Sequence, residues 1–495
     1  MQAGGYPMGC RLFCFLVPLP FQIMRMFIKQ LYTGCLSEAA YYIESEGEAA
    51  VIDPLRDTNE YITLAQQRNA HIKYIFETHF HADFVSGHID LGKKTGAPIV
   101  YGPKTETSYP VTVAGDKQIF TLGKISIEVL HTPGHTLEST CYLLKDENDK
   151  PHAVFTGDTL FVGDVGRPDL AQEGKVLTMN DLAGMLYDSL QNKIMSLPDD
   201  VLVYPAHGPG SSCGKNLGPE TYSTIGEEKR TNYALQASSK EAFIAAVTEG
   251  LAAPPQYFPV NAKINKEGYE SLDSVLKKAL QPLNVEALKE KTRDENTIVL
   301  DTRDSRVFID GFIPNSISIG LDGRFAEWAG MLIPFDKPIL LVTEPGKEEE
   351  TAVRLARVGF STVEGYLQGS FAAWQAAGEK TDMVVEIEAD EFAMDLPHDK
   401  KMVVIDVRRE TEFADGHVKG AVNIPLNEMT DPGTMANLDD SQNLYVHCAG
   451  GYRSIIAASL LKRQGIHNLH NVMGGWDKIK EQKSIPIAKE TSVLN

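Results

Sequence analysis

The chain reads as an α/β multidomain protein, and three observations lead there. At 495 residues it is longer than one hydrophobic core usually organises, and suits about three domains. From Phe27 to about Val203, short apolar strands ending in Gly, Pro or Asp turns alternate with stretches of helical periodicity, such as Asp57 to Arg68 and Met179 to Leu190. Beyond residue 283 a domain-sized repeat occurs. Asp301-Thr302-Arg303 through Phe312-Ile313 returns as Asp406-Val407-Arg408 through His417-Val418, and Gly369-Ser370-Phe371 returns as Gly474-Gly475-Trp476. Each copy reads strand, helix, strand, helix, which predicts two parallel-sheet domains in tandem.

Bulk composition narrows the functional classes. A hydrophobic content of 43% with 23% charged residues is ordinary for globular domains with sizeable cores. The net charge of −20 disfavours nucleic acid or an anionic membrane surface as a partner. The cysteines Cys10, Cys14, Cys35, Cys141, Cys213 and Cys448 are too scattered for a disulfide framework, so a cytoplasmic location is expected. Residues 10–28 are apolar but carry two prolines and two arginines, a poor membrane span. Residues 1–25 are therefore expected to be an extension without a fold. The expected divisions are 26–270 for the first domain, 271–282 for a linker, 283–385 and 386–489 for the repeated pair, and 490–495 for a tail.

The chemistry concentrates where strands end. After Tyr74-Ile75-Phe76 comes Thr78-His79-Phe80-His81-Ala82-Asp83-Phe84. His131-Thr132-Pro133-Gly134-His135 follows, then Thr156-Gly157-Asp158-Thr159 after Ala153-Val154-Phe155, and later Tyr204-Pro205-Ala206-His207-Gly208. Imidazoles and carboxylates on loops held by rigid strands are suitable metal ligands.

This order of motifs resembles the metallo-β-lactamase superfamily over roughly residues 26–270, which implies an αβ/βα sandwich for the first domain. Binuclear hydrolases of that superfamily read His-x-His-x-Asp-His, whereas Phe84 stands here in the last position and cannot bind a metal. The resemblance thus points to the mononuclear persulfide dioxygenases, with one Fe(II) held by His79, His135 and Asp158. Two histidines and a carboxylate form the facial triad of non-haem Fe(II) oxygenases, which leaves positions for substrate and O₂. His81, Asp83 and His207 are then expected to orient ligands or bound water. Arg167, in Gly166-Arg167-Pro168-Asp169, is the candidate for recognising the carrier thiol, and Cys213 is a candidate redox relay.

In the second repeat copy, Leu444-Tyr445-Val446 leads into His447-Cys448-Ala449-Gly450-Gly451-Tyr452-Arg453-Ser454, followed by a helix from Ile455 to Gln464. A loop of backbone N–H groups at a helix N-terminus stabilises a thiolate or persulfide, and the glycines allow close approach. Both copies resemble rhodanese domains. The resemblance makes Cys448 the sulfur-carrying nucleophile, with Arg453, Gly450 and Gly451 around its anionic substrate. In the first copy Glu344 occupies the cysteine position, so that copy is expected to be inactive as a sulfurtransferase.

Together the resemblances imply oxidation of a low-molecular-weight persulfide (of glutathione, coenzyme A or bacillithiol) with O₂ to sulfite. Sulfane sulfur would pass through Cys448 to or from sulfite and thiosulfate, for sulfide detoxification, in a homo-oligomer. Two alternatives stand beside this: a glyoxalase II-like thioester hydrolase with a sulfur-carrier module, and a non-catalytic sulfur-relay adaptor.

Overall fold

The computed structural model describes residues 26–171, 176–435, 438 and 440–490. The expected N-terminal extension, with Cys10 and Cys14, and residues 491–495 of the tail lie outside the described residues. The first domain is built on two six-stranded sheets. One runs Phe27–Thr33, Glu38–Ser45, Glu48–Ile52, His71–Phe76, Ile99–Tyr101, Thr112–Val113. The other runs Ser223–Thr224, Leu202–Pro205, Pro151–Gly157, Thr140–Lys145, Ile125–His131, Ile119–Leu122.

Strand alternation explains the layers. In Glu38–Ser45, Tyr41 and Ile43 face the second sheet, meeting Ile127, Val129, Tyr142 and Phe155 in the inter-sheet core. Their neighbours Ala40 and Tyr42 point outward, into a separate core with Tyr61 and Ala65 of the helix Asn59–Gln67. The second sheet does the same: Leu143, Val154 and Val203 pack outward on Leu186 of helix Met179–Ser189 and Phe243 of helix Lys240–Thr248. A period of two with both faces apolar yields helix, sheet, sheet, helix. The αβ/βα sandwich is thus borne out.

The two repeat copies each form a five-stranded, all-parallel sheet. In the middle domain the order is Pro282–Leu283, Val363–Leu367, Ile339–Val342, Ile298–Asp301, Ile317–Ser318. In the last it is Val385–Ile387, Leu469–Val472, Asn443–His447, Met402–Asp406, Val422–Asn423. The repeated Asp-x-Arg is the same device in both. Arg303 pairs with Asp301, donates to the Gly311 carbonyl at 2.9 Å, and covers the Phe371 ring at 4.4 Å. Arg408 pairs with Asp406, donates to Gly416 at 2.7 Å, and covers Trp476 at 4.5 Å.

The expected linker is structured. Residues 271–282 are not a free linker: Ser271 caps the helix Leu272–Ala279, whose Leu272 and Val275 pack on Ala356 of the middle domain. The Leu272, Val275, Leu276, Ala279 spacing is an amphipathic stripe. The stretch around Pro254 to Pro259 leads into the helix Phe258–Glu267, with Pro259 in its first turn where a missing N–H costs nothing. Among the described residues no helix is long and apolar enough to cross a membrane.

Candidate metal and sulfur centres

Four strand ends of the sandwich point the same way and deliver the four motifs to one place. His79 follows strand His71–Phe76, His135 follows Ile125–His131, Asp158 follows Pro151–Gly157, and His207 follows Leu202–Pro205. The two sheets are tied at this end by the Thr140 N–H donating to the Thr78 carbonyl at 2.9 Å.

His79, His135 and Asp158 converge as expected, one donor atom from each lying within 4.8 Å of the others. His79 Nε2 and His135 Nε2 are 3.7 and 3.4 Å from Asp158 Oδ2. All three side chains are buried, and His79 Nε2 and Asp158 Oδ2 have no hydrogen-bond partner. Buried polar atoms are almost always satisfied, so convergent orphans of this chemistry fit a metal ion. The remaining ring nitrogens fix the tautomers. His135 Nδ1 sits 2.9 Å from the Arg167 carbonyl, which can only accept. His79 Nδ1 sits 2.9 Å from Thr78 Oγ1, whose own hydrogen goes to Asp53 Oδ2 at 2.8 Å. Each Nε2 is left with its lone pair toward Asp158.

Electrostatics agree with ligation. Burial first, then the neighbouring His81, holds His79 well below the usual imidazole range and keeps it neutral. Burial pushes the Asp158 carboxyl up, but His207, bonded to its Oδ1, is foremost among the neighbours that hold the group below its ordinary value. His207 is placed between two carboxylates, with Nδ1 2.7 Å from Asp158 Oδ1 and Nε2 2.8 Å from Asp83 Oδ2. Burial would lower it; Asp158 and Asp83 together raise it well above the ordinary range. Asp83 and His207 therefore form a relay that orients Asp158. His81 turns away from the centre, with Nε2 3.1 Å from Asp53 Oδ1 and 3.6 Å from Glu77 Oε2.

Arg167 requires a correction. Its guanidinium, expected to meet the carrier thiol, is buried and donates to Asp169 at 2.7 and 2.8 Å, to Ser212 at 3.0 Å and to Ala252 at 2.6 Å. The ion pair locks the 166–169 turn, and the residue serves the centre through its carbonyl on His135. Cys213 is buried and groups with Asp83 and His207, one donor atom of each within 4.8 Å of the others. Burial, reinforced by Asp83 and Asp158, pushes its thiol well up.

Several contributors were missed by sequence reasoning. Asp53, at the end of Glu48–Ile52, accepts both the N–H and the hydroxyl of Thr78. Its φ of 50° is left-handed, a strain that a non-glycine residue adopts only when surroundings impose it. Gly157 (φ 52°) is required beside it, because a Cβ there would lie 2.6 Å from Thr78 Oγ1. Asn265 donates to the His81 and Phe84 carbonyls at 2.8 Å each and accepts from the Ser86 N–H at 2.9 Å, pinning the whole loop. An Asp closing the apolar run Val51-Ile52-Asp53 was a readable signal; Asn265 had none.

The second centre lies in the last domain. Strand Asn443–His447 ends at Cys448, and helix Tyr452–Arg463 starts four residues on. Cys448 Sγ is buried and accepts the Gly451 N–H at 3.1 Å, with Ser454 Oγ at 3.6 Å. Gly451 has a φ of 115°. Arg453 forms a two-pronged pair with Glu412 at 2.7 and 2.8 Å, which places its charge beside the loop. The equivalent loop of the middle domain is Thr343-Glu344-Pro345-Gly346-Lys347, where Glu344 is exposed and Pro345 has no N–H to offer.

Comparison with known proteins agrees with this layout. The family profile of the metallo-beta-lactamase superfamily matches residues 33–207, and that of the rhodanese-like domain matches residues 284–377 and 388–482. A probable hydroxyacylglutathione hydrolase of Schizosaccharomyces pombe is 30% identical over 195 residues, covering 38% of this chain and 70% of that protein. A cytoplasmic hydroxyacylglutathione hydrolase of Arabidopsis thaliana is 34% identical over 187 residues, 36% of this chain and 67% of its own length. The crystal structure of a metallo-beta-lactamase from Staphylococcus aureus superposes with a TM-score of 0.61 at 32% identity, spanning 69% of this chain and 98% of that one.

Proposed function

We propose that this chain, which belongs to the metallo-β-lactamase superfamily and ends in two rhodanese domains, is a persulfide dioxygenase coupled to a sulfurtransferase. The observation that carries the reading is the convergence of His79, His135 and Asp158, with His79 Nε2 and Asp158 Oδ2 left without partners, beside a Phe84 that fills the place of a further ligand. Two histidines and one carboxylate suit Fe(II) with open positions. The net reaction is RSSH + O₂ + H₂O giving RSH, sulfite and two protons, where R is a carrier such as glutathione, coenzyme A or bacillithiol.

The bound iron would supply the open coordination positions and the redox chemistry. The chain's own residues do the rest. His79 and His135 present neutral Nε2 lone pairs because Thr78 and the Arg167 carbonyl hold their Nδ1 hydrogens. Asp158 stays ionised and fixed, because His207 grips its other oxygen and Asp83 grips His207. Ala82, Phe161, Tyr257 and Phe258 make an apolar surround that excludes water.

In the last domain, the Cys448 thiolate attacks the sulfane sulfur of a persulfide and releases the thiol. The resulting Cys448 persulfide gives that sulfur to sulfite, forming thiosulfate and restoring the thiolate. The Gly451 N–H and the helix start hold the anion, and Arg453 beside the loop attracts an anionic acceptor. The middle domain, with Glu344 in place of the sulfur carrier, takes no part in this transfer.

A thioester hydrolase is the second reading, favoured by the names of the curated relatives and by Asp83 and His207 standing beside Asp158. One experiment separates the two. Metal content and O₂ uptake are measured on anaerobically purified chain given glutathione and coenzyme A persulfides. About one iron per chain with O₂-dependent sulfite or thiosulfate formation supports the dioxygenase. Two zinc ions with thioester hydrolysis and no O₂ uptake refutes it.

A further inference from the structure

The middle domain carries Glu344 where the last domain has Cys448, yet it bonds the metal-ligand loop at Val85 and the neighbouring segment at Arg56 and Asp57. The Val85 N–H, next to Phe84, donates to the Arg357 carbonyl at 2.6 Å, across the domain boundary. Arg357 ends the helix Glu348–Arg357, and its guanidinium returns to the first domain to pair with both oxygens of Asp57 at 3.0 and 2.8 Å. Arg56, 2% exposed, donates to the Ala356 carbonyl at 3.1 Å and to that of Glu270, and covers the Tyr269 ring at 4.7 Å. Tyr269 in turn donates to the Ser86 carbonyl.

Apolar packing reinforces these bonds on both flanks of the loop. Phe84, 0% exposed, lies in one continuous cluster with Leu36 and Leu55 of its own domain and with Leu332, Leu355, Val358 and Phe360 of the middle one. Ala82, two residues earlier, belongs to the cluster on which Met331 and Phe335 of the middle domain pack. Residues 82–86 thus run between Asn265 on one side and the middle domain on another. A histidine in place of Phe84 would put a polar ring into this apolar contact.

We infer that the middle domain is a working part of the metal centre: Arg357, through the Asp57 pair and the Val85 N–H, positions the loop that carries His79. This inference rests on His79, His135 and Asp158 holding a metal, and does not depend on which reaction follows. It gives Phe84 a role as well, as an anchor for a neighbouring domain where other superfamily members have a ligand.

The test uses the full chain loaded with Co(II), whose visible spectrum reports ligand geometry. Arg357→Met removes the pair to Asp57 while keeping the carbonyl; Asp57→Asn removes it from the more exposed side. Both are expected to speed cobalt release to a chelator by about tenfold or more and to shift the cobalt spectrum. The exchanged pair D57R/R357D should recover part of both. Cys448-dependent sulfur transfer should stay at the parent level in every variant, reporting an intact last domain. Release rates and spectra equal to the parent's in folded Asp57→Asn overturn the inference, whatever becomes of Arg357→Met. A parent chain that takes up no cobalt overturns the metal-site reading itself, and this inference with it.

Discussion

Thr78→Val is the sharpest test of how the metal centre is held, because it changes one hydroxyl and almost no volume. Thr78 Oγ1 donates to Asp53 Oδ2 at 2.8 Å and stands 2.9 Å from His79 Nδ1, and all three groups are buried. Valine deprives Asp53 Oδ2 of this donor and His79 Nδ1–H of its acceptor. An unsatisfied buried group costs about 1–3 kcal/mol. If the His79 share falls on the bound geometry, that cost converts to a loss in metal affinity of about 10- to 100-fold. The assay is competition with a chelator of known affinity, with Thr78→Ser as a control that keeps the hydroxyl. A folded Thr78→Val chain that holds metal as tightly as the parent would show that the Asp53–Thr78–His79 line does not orient the ligand.

Three further outcomes are expected. Cys448→Ser should abolish thiosulfate formation while O₂ uptake persists and sulfite accumulates; loss of both activities in folded protein would contradict separate centres. Gly475→Ala should cut sulfur transfer by about tenfold or more, equivalent to about 1.4 kcal/mol, because at φ 53° a Cβ would lie 2.3 Å from the Cys448 carbonyl; steady-state transfer to sulfite measures it. Burial, followed by the neighbouring His81, holds His88 down to about 3, and burial pushes its partner Glu77 well up. His88 in the unfolded chain therefore binds a proton near pH 6 that it refuses when folded, so its own share of stability falls as pH drops from about 6.5 toward 3, by up to about 5 kcal/mol, while the raised Glu77 works in the opposite direction. In His88→Gln the acid limb of denaturant unfolding, measured on metal-free chain, should flatten.

What was legible in the sequence and what was not divide along range of contact. His79, His135 and Asp158 were named through the order of four motifs that resembles the metallo-β-lactamase superfamily, each motif following an apolar run in the sequence. Cys448 was readable because its cradle is local, closed within six residues of chain. The repeat was readable because Asp301–Arg303 and Asp406–Arg408 are contacts two residues apart. Asn265 and Arg357 were invisible for the opposite reason. They meet the metal loop from about 180 and 270 residues away, and a lone Asn or Arg on a helix carries no mark of its distant partner. Arg167 shows an intermediate case: the residue was found, but sequence cannot tell whether a guanidinium faces a pocket or an Asp two residues on.

The degenerate copy makes sense once its two ends are considered separately. At the loop end, Glu344 stands in the cysteine position and Pro345 offers no N–H, so under the proposed function this copy has neither the sulfur carrier nor a full cradle. At the other end of the helix that follows, Arg357 and the carbonyl it carries bond the metal loop. In the last domain the corresponding helix, Tyr452–Arg463, leads instead from the Cys448 loop to Arg463, which donates to the Asn315 carbonyl of the middle domain at 2.9 Å. The same element therefore makes its contacts at opposite ends in the two copies: its start meets Cys448 in one, and its finish meets the 78–86 loop of the first domain in the other.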